Sequence, residues 1–99
     1  MTLRYFDGCP HWRIAHDRLR QVLREDGLLD VEPVLELVET PEDAERLRFA
    51  GSPTILIDGR DPFGGPEENF GMSCRVYQTP DGLAGSPTVD QLRAALREA

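Results

Sequence analysis

The sequence contains no lysine. Its 11 basic residues are all arginine, and they face 18 acids, for a formal net charge of −7. So acidic a chain argues against nucleic acid and anionic membrane as partners, because both are recognised through a positive footprint. Asparagine is nearly missing as well, with Asn69 its single instance. The two gaps together look like a GC-rich coding bias and point to a bacterial source. Cysteine is scarce: Cys9 and Cys74 are too few for a disulfide scaffold. With His11 and His16 they make up all the Cys and His of the chain, and no CxxC or HxxxH spacing joins them. No structural zinc and no other cofactor is therefore expected. No apolar run approaches the roughly 20 residues that span a bilayer. Arg4, Asp7 and Arg13 interrupt any apolar leader, so export is not indicated and a cytoplasmic setting is expected. Gly64-Gly65 lacks the phosphate-loop pattern, and no nucleophile elbow occurs, which leaves nucleotide chemistry and serine hydrolysis unsupported.

What remains describes one small domain over residues 1–99, with 39% hydrophobic and 29% charged residues. Leu3-Arg4-Tyr5-Phe6 is β-prone and ends at the turn signal Asp7-Gly8. Trp12, Ala15, Leu19, Val22 and Leu23 then fall on one helical face, and Gly27 stops that helix. Residues 31–38 read as a strand whose Pro33 and Glu36 mark it as an edge. Thr40-Pro41-Glu42-Asp43 starts a short helix, with Thr40 as N-cap and Pro41 in the first turn. Gly51-Ser52-Pro53 breaks it, and Thr54-Ile55-Leu56-Ile57 is the clearest strand. Residues 60–73, rich in Pro and Gly, read as a long loop insertion between the third and fourth strands. Arg75-Val76-Tyr77-Gln78 is a fourth strand, and Thr88 with Gln91 forms the capping box of a last helix.

The order β-α-β-α-β-β-α is that of the thioredoxin fold. Two motifs sit where that fold places its working turns: Phe6-Asp7-Gly8-Cys9-Pro10-His11-Trp12 after the first strand, and Gly51-Ser52-Pro53-Thr54 before the third. They resemble the redox-active CxxC turn and the cis-proline turn of thioredoxin-like proteins. Trp12 stands in place of the second cysteine, so no disulfide can form within that turn. The stretch from Gly51 through Asp61-Pro62-Phe63 to Cys74-Arg75-Val76-Tyr77 is similar to a small bacterial thioredoxin-like group with a CPxW motif, sometimes labelled alkylmercury lyase. The resemblance implies an α/β thioredoxin-like fold with a four-stranded mixed sheet flanked by three helices. It also implies a cis Pro53 facing Cys9.

The local chemistry of Cys9 agrees with a working thiol. Pro10 suits the first helical position, which makes Cys9 the N-cap, at the positive end of the helix dipole and in reach of the N–H groups of His11 and Trp12. These features favour a thiolate, and a protonated His11 adds to them. The expected function is monothiol thiol–disulfide exchange, with Cys9 as nucleophile and His11 tuning it. Trp12, Ser52, Pro53 and Thr54 would hold a low-molecular-weight thiol or a protein disulfide, and Ser52 would offer its backbone to an extended ligand. A soft-metal or organomercurial thiolate site and a redox-inactive peptide-binding module are the alternatives. Cys74 is expected to be a buried core thiol. It would lie at the far end of the sheet, since four strand residues span about 13 Å and disulfide Cα atoms lie within about 7 Å. A monomer or weak dimer is expected, any pairing running through the second strand.

Overall fold

A computed structural model describes residues 1–28, 30–64, 71–72 and 74–98. The elements run β1 (Thr2–Tyr5), α1 (His11–Glu25), β2 (Val34–Leu37), α2 (Pro41–Arg46), β3 (Thr54–Leu56), β4 (Tyr77–Thr79), β5 (Gly82–Ala84) and α3 (Val89–Glu98).

β1 lies at the centre of a three-stranded sheet ordered β2-β1-β3. It pairs parallel with β2, Leu3 opposite Leu35, and antiparallel with β3, Leu3 opposite Ile55. The parallel pair is the one that α1 connects, as a crossover requires. Leu3 and Ile55 bury themselves with Ala15, Leu19 and Val22 of α1 and Leu92 of α3. That cluster is the main core, and it holds both long helices against the sheet. Val38, Ala44 and Phe49 form a second cluster around α2. The Thr40 hydroxyl accepts from the Asp43 amide at 3.1 Å, and Thr88 and Gln91 exchange reciprocal bonds at 2.9 and 3.1 Å. Both helix starts are therefore the ones that the sequence spells out. β2 is an edge with Val34, Leu35 and Leu37 exposed, and its Glu36 pairs with Arg4 on β1.

The four-stranded mixed sheet expected from the resemblance is not formed, so the thioredoxin-like layout is not matched. β4 pairs with β5 in a separate two-stranded ribbon, Gln78 opposite Leu83. Three local anchors explain why. After β3 the chain turns back at once, with Ile57 and Arg60 bridged and Asp58 at φ 53°. Asp61 then binds Arg75 through two contacts, of 2.5 and 3.3 Å. Finally Cys74 pairs parallel with Ser52 rather than antiparallel along β3. The returning chain thus meets the sheet at its Cys9 end and is spent there on one bridge. The Thr79–Gly82 turn gives β4 its own partner, and the Thr79 hydroxyl donates to the Gly82 carbonyl at 2.6 Å. Residues 65–70 and 73 of the 60–73 loop lie outside the described residues. Among the described residues no helix is long and apolar enough to cross a membrane.

Candidate functional site

The Phe6-Asp7-Gly8-Cys9 turn delivers the first cysteine. The Cys9 amide donates to the Phe6 carbonyl at 3.2 Å. A Cβ on Gly8 would come within 2.6 Å of the Phe6 ring, so this turn admits no side chain at Gly8 without displacing the ring. Cys9 is fully buried, at 0% exposure. The helix begins one residue later than expected: the capping position is Pro10, with φ −75° and ψ −14°, and no side chain caps it. Instead of accepting from the helix amides, the Cys9 thiol donates to the Ser52 carbonyl at 3.5 Å.

Ser52 lies opposite, followed along the chain by Pro53 and Thr54. The Ser52–Pro53 peptide bond is cis. All three residues are buried. The Ser52 hydroxyl accepts from the Phe6 amide at 3.4 Å, tying this turn to the Cys9 turn. Thr54 donates its hydroxyl to the Gly51 carbonyl at 2.6 Å, and the Tyr77 hydroxyl donates to the Pro53 carbonyl. Burial holds the Tyr77 phenol well above its usual range. The Arg75 charge opposes this, and Asp61 reinforces it.

The second cysteine is here too. The Cys74 thiol donates to Cys9 Sγ at 2.6 Å. The placement of Cys74 at the far end of the sheet is therefore overturned, and so is its reading as a buried core thiol, since it is exposed. The cause is the same set of anchors that diverts β4. The Arg75 amide donates to the Ser52 carbonyl at 2.8 Å. The Arg75 side chain is 8% exposed, its guanidinium bonded to Asp61 and stacked 4.7 Å over the Tyr77 ring. Gly51 adopts φ 120°, and a Cβ there would press on Arg75 at 3.0 Å, so glycine permits this approach. The hydrogen bond to Cys9 holds the Cys74 thiol above the ordinary value of 9.0, with burial and the Cys9 charge acting in the same direction.

Not every expected site residue converges on the sulfurs. The His11 ring packs on Gly85, and among the described residues no hydrogen bond joins it to either cysteine. Trp12 stacks on Tyr5 at a centroid distance of 4.2 Å, against the main core. Both are helix-start packing residues in this arrangement. Asp61, Arg75 and Tyr77 are not marked as site residues by the sequence. Their only local signal is a second cysteine followed by an arginine at the end of a Pro- and Gly-rich stretch.

No known protein family, no curated protein sequence and no solved structure matches the chain. The chemistry of the site stands on its own atoms. Two thiols within bonding reach, one buried and one exposed, can exchange between a dithiol and a disulfide by losing or gaining two electrons and two protons.

Proposed function

We propose that the chain is a thiol–disulfide exchange protein that works through Cys9, with Cys74 as its partner thiol. The observation that carries this reading is the contact of 2.6 Å between the two sulfurs. The likeness of the Cys9 and Ser52-Pro53 turns to those of thioredoxin-like proteins supports it as well. The monothiol form of the expectation gives way to a dithiol one, because the resolving sulfur that Trp12 displaces from the turn comes instead from Cys74. In a cytoplasmic setting, where small thiols hold a reducing poise, the resting form is the dithiol.

Equilibration with mixtures of reduced and oxidised glutathione tests the reading. The wild-type protein, denatured at the quench so that both sulfurs are open to alkylation, should pass in one reversible step from two alkylatable thiols to none, losing the mass of two hydrogens. Thiols that remain alkylatable at every ratio would remove the redox reading.

The same sulfur pair favours one second reading, the capture of a soft thiophilic cation between two thiolates. Among the described residues no group of three or more His, Cys, Asp or Glu side chains could add further ligands, so such a site would be two-coordinate. One mercuric ion bound per protein, lost in either cysteine variant, is its expected signature. The redox-inactive peptide module has the least support, because the Ser52 carbonyl is already engaged by the Arg75 amide.

A further inference from the structure

The two sulfurs are not equivalent. Cys9 has 0% exposure, while Cys74 is exposed. Displacement at sulfur is in-line, so an incoming partner needs open approach to the atom it joins. From the side of the solvent only Cys74 offers one. We infer that Cys74 is the sulfur that meets the external partner and that Cys9 resolves the bond it makes. This rests on the exchange reading above and adds its order, which is the reverse of what the Cys9 turn suggests in sequence.

Cys74 loses its proton to solvent, and the Cys74 thiolate attacks a disulfide R–S–S–R. A Cys74–S–S–R bond forms, the R–S–S–R bond breaks, and one RS⁻ leaves. Cys9, after giving up its proton, then attacks Cys74 Sγ. The Cys9–Cys74 bond forms, and the second RS⁻ departs. The protein has lost two electrons, and the partner has gained them. In reverse, an external thiolate attacks Cys74 Sγ and expels Cys9 as the leaving thiolate.

The geometry also favours a small partner. The Ser52 carbonyl accepts both the Arg75 amide and the Cys9 thiol, so the turn offers an extended peptide no free carbonyl to pair with.

Oxidised glutathione is the probe. Folded Cys9→Ser and Cys74→Ser proteins are pulsed with it at neutral pH, quenched with acid and mapped by mass spectrometry. Cys9→Ser should acquire glutathione on Cys74 at least about ten times faster than Cys74→Ser acquires it on Cys9, because a buried sulfur reacts only through local opening. In the wild type the earliest mixed disulfide should map to Cys74, a readout that needs no variant to fold. Earlier or faster labelling of Cys9 would overturn the order and leave the exchange reading standing. Mixed disulfides that never resolve into an internal bond in the wild type would instead remove the exchange reading itself.

Discussion

The Arg75 amide donates to the Ser52 carbonyl across 2.8 Å, and this bond sets Cys74 against Cys9. Everything around it serves to hold the returning chain in that position. The Asp61 carboxylate grips the Arg75 side chain, the Tyr77 ring lies under it, and Gly51 lets it approach.

Asp61→Ala should therefore weaken both the fold and the sulfur pair. The ion pair is largely sheltered, with side-chain exposures of 8% for Arg75 and 21% for Asp61. Its loss should cost about 1–3 kcal/mol, the range for stranding one partner of a sheltered polar contact. Urea unfolding reads that cost. Disulfide closure from the Cys74 mixed disulfide should slow roughly tenfold, since a loosened Cys74 loses its near-attack geometry.

Tyr77→Phe should remove the bond to the Pro53 carbonyl and cost about 1–2 kcal/mol, because a buried acceptor is left unpaired. Its pH dependence is equally specific. The folded state raises the phenol, so neutral Tyr77 is the form the fold favours. That contribution is fully present below the unfolded value of about 10 and declines as pH rises beyond it. Thermal unfolding above pH 10 should fall more steeply for the wild type than for Tyr77→Phe.

Gly85→Ala would place a Cβ 2.4 Å from the His11 ring. Overpacking of this kind costs about 1–3 kcal/mol. His11→Ala should relieve most of it in the double variant, and thermal denaturation of the four proteins in that cycle measures the coupling. If His11 tuned Cys9 directly, His11→Ala alone would change glutathione exchange in the otherwise unaltered protein. The geometry predicts little change.

In the reduced protein, Cys74 should be alkylated by iodoacetamide with a midpoint above the ordinary thiol value of 9.0, because its proton is held in the bond to Cys9. Cys9→Ala removes the acceptor and should bring the midpoint down toward that value. An unchanged midpoint would mean that the sulfur contact does not persist in solution.

The sequence carried the local structure well and the long-range structure poorly. The α1 stripe of Ala15, Leu19, Val22 and Leu23 is legible from its spacing, and it is the buried face. Thr40 and Thr88 announce their helices through side-chain chemistry that acts within three residues. β5 is not legible because Gly82-Leu83-Ala84 is too short to alternate. The position of Cys74 is not legible for a different reason. Its position depends on contacts between residues 61 and 75 and between 52 and 75, which no local pattern encodes. Strand directions alone point the chain away from Cys9. The Asp61–Arg75 grip brings it back.

The most direct measurement is a non-reducing tryptic map of the protein after equilibration with oxidised glutathione. Cleavage after arginine yields residues 5–13, which hold Cys9, and residues 61–75, which hold Cys74. The sulfur contact predicts one disulfide-linked species made of these two peptides, separated by reductant and absent when either cysteine is serine. Two separate glutathione adducts, or peptides linked only between protein molecules, would contradict it.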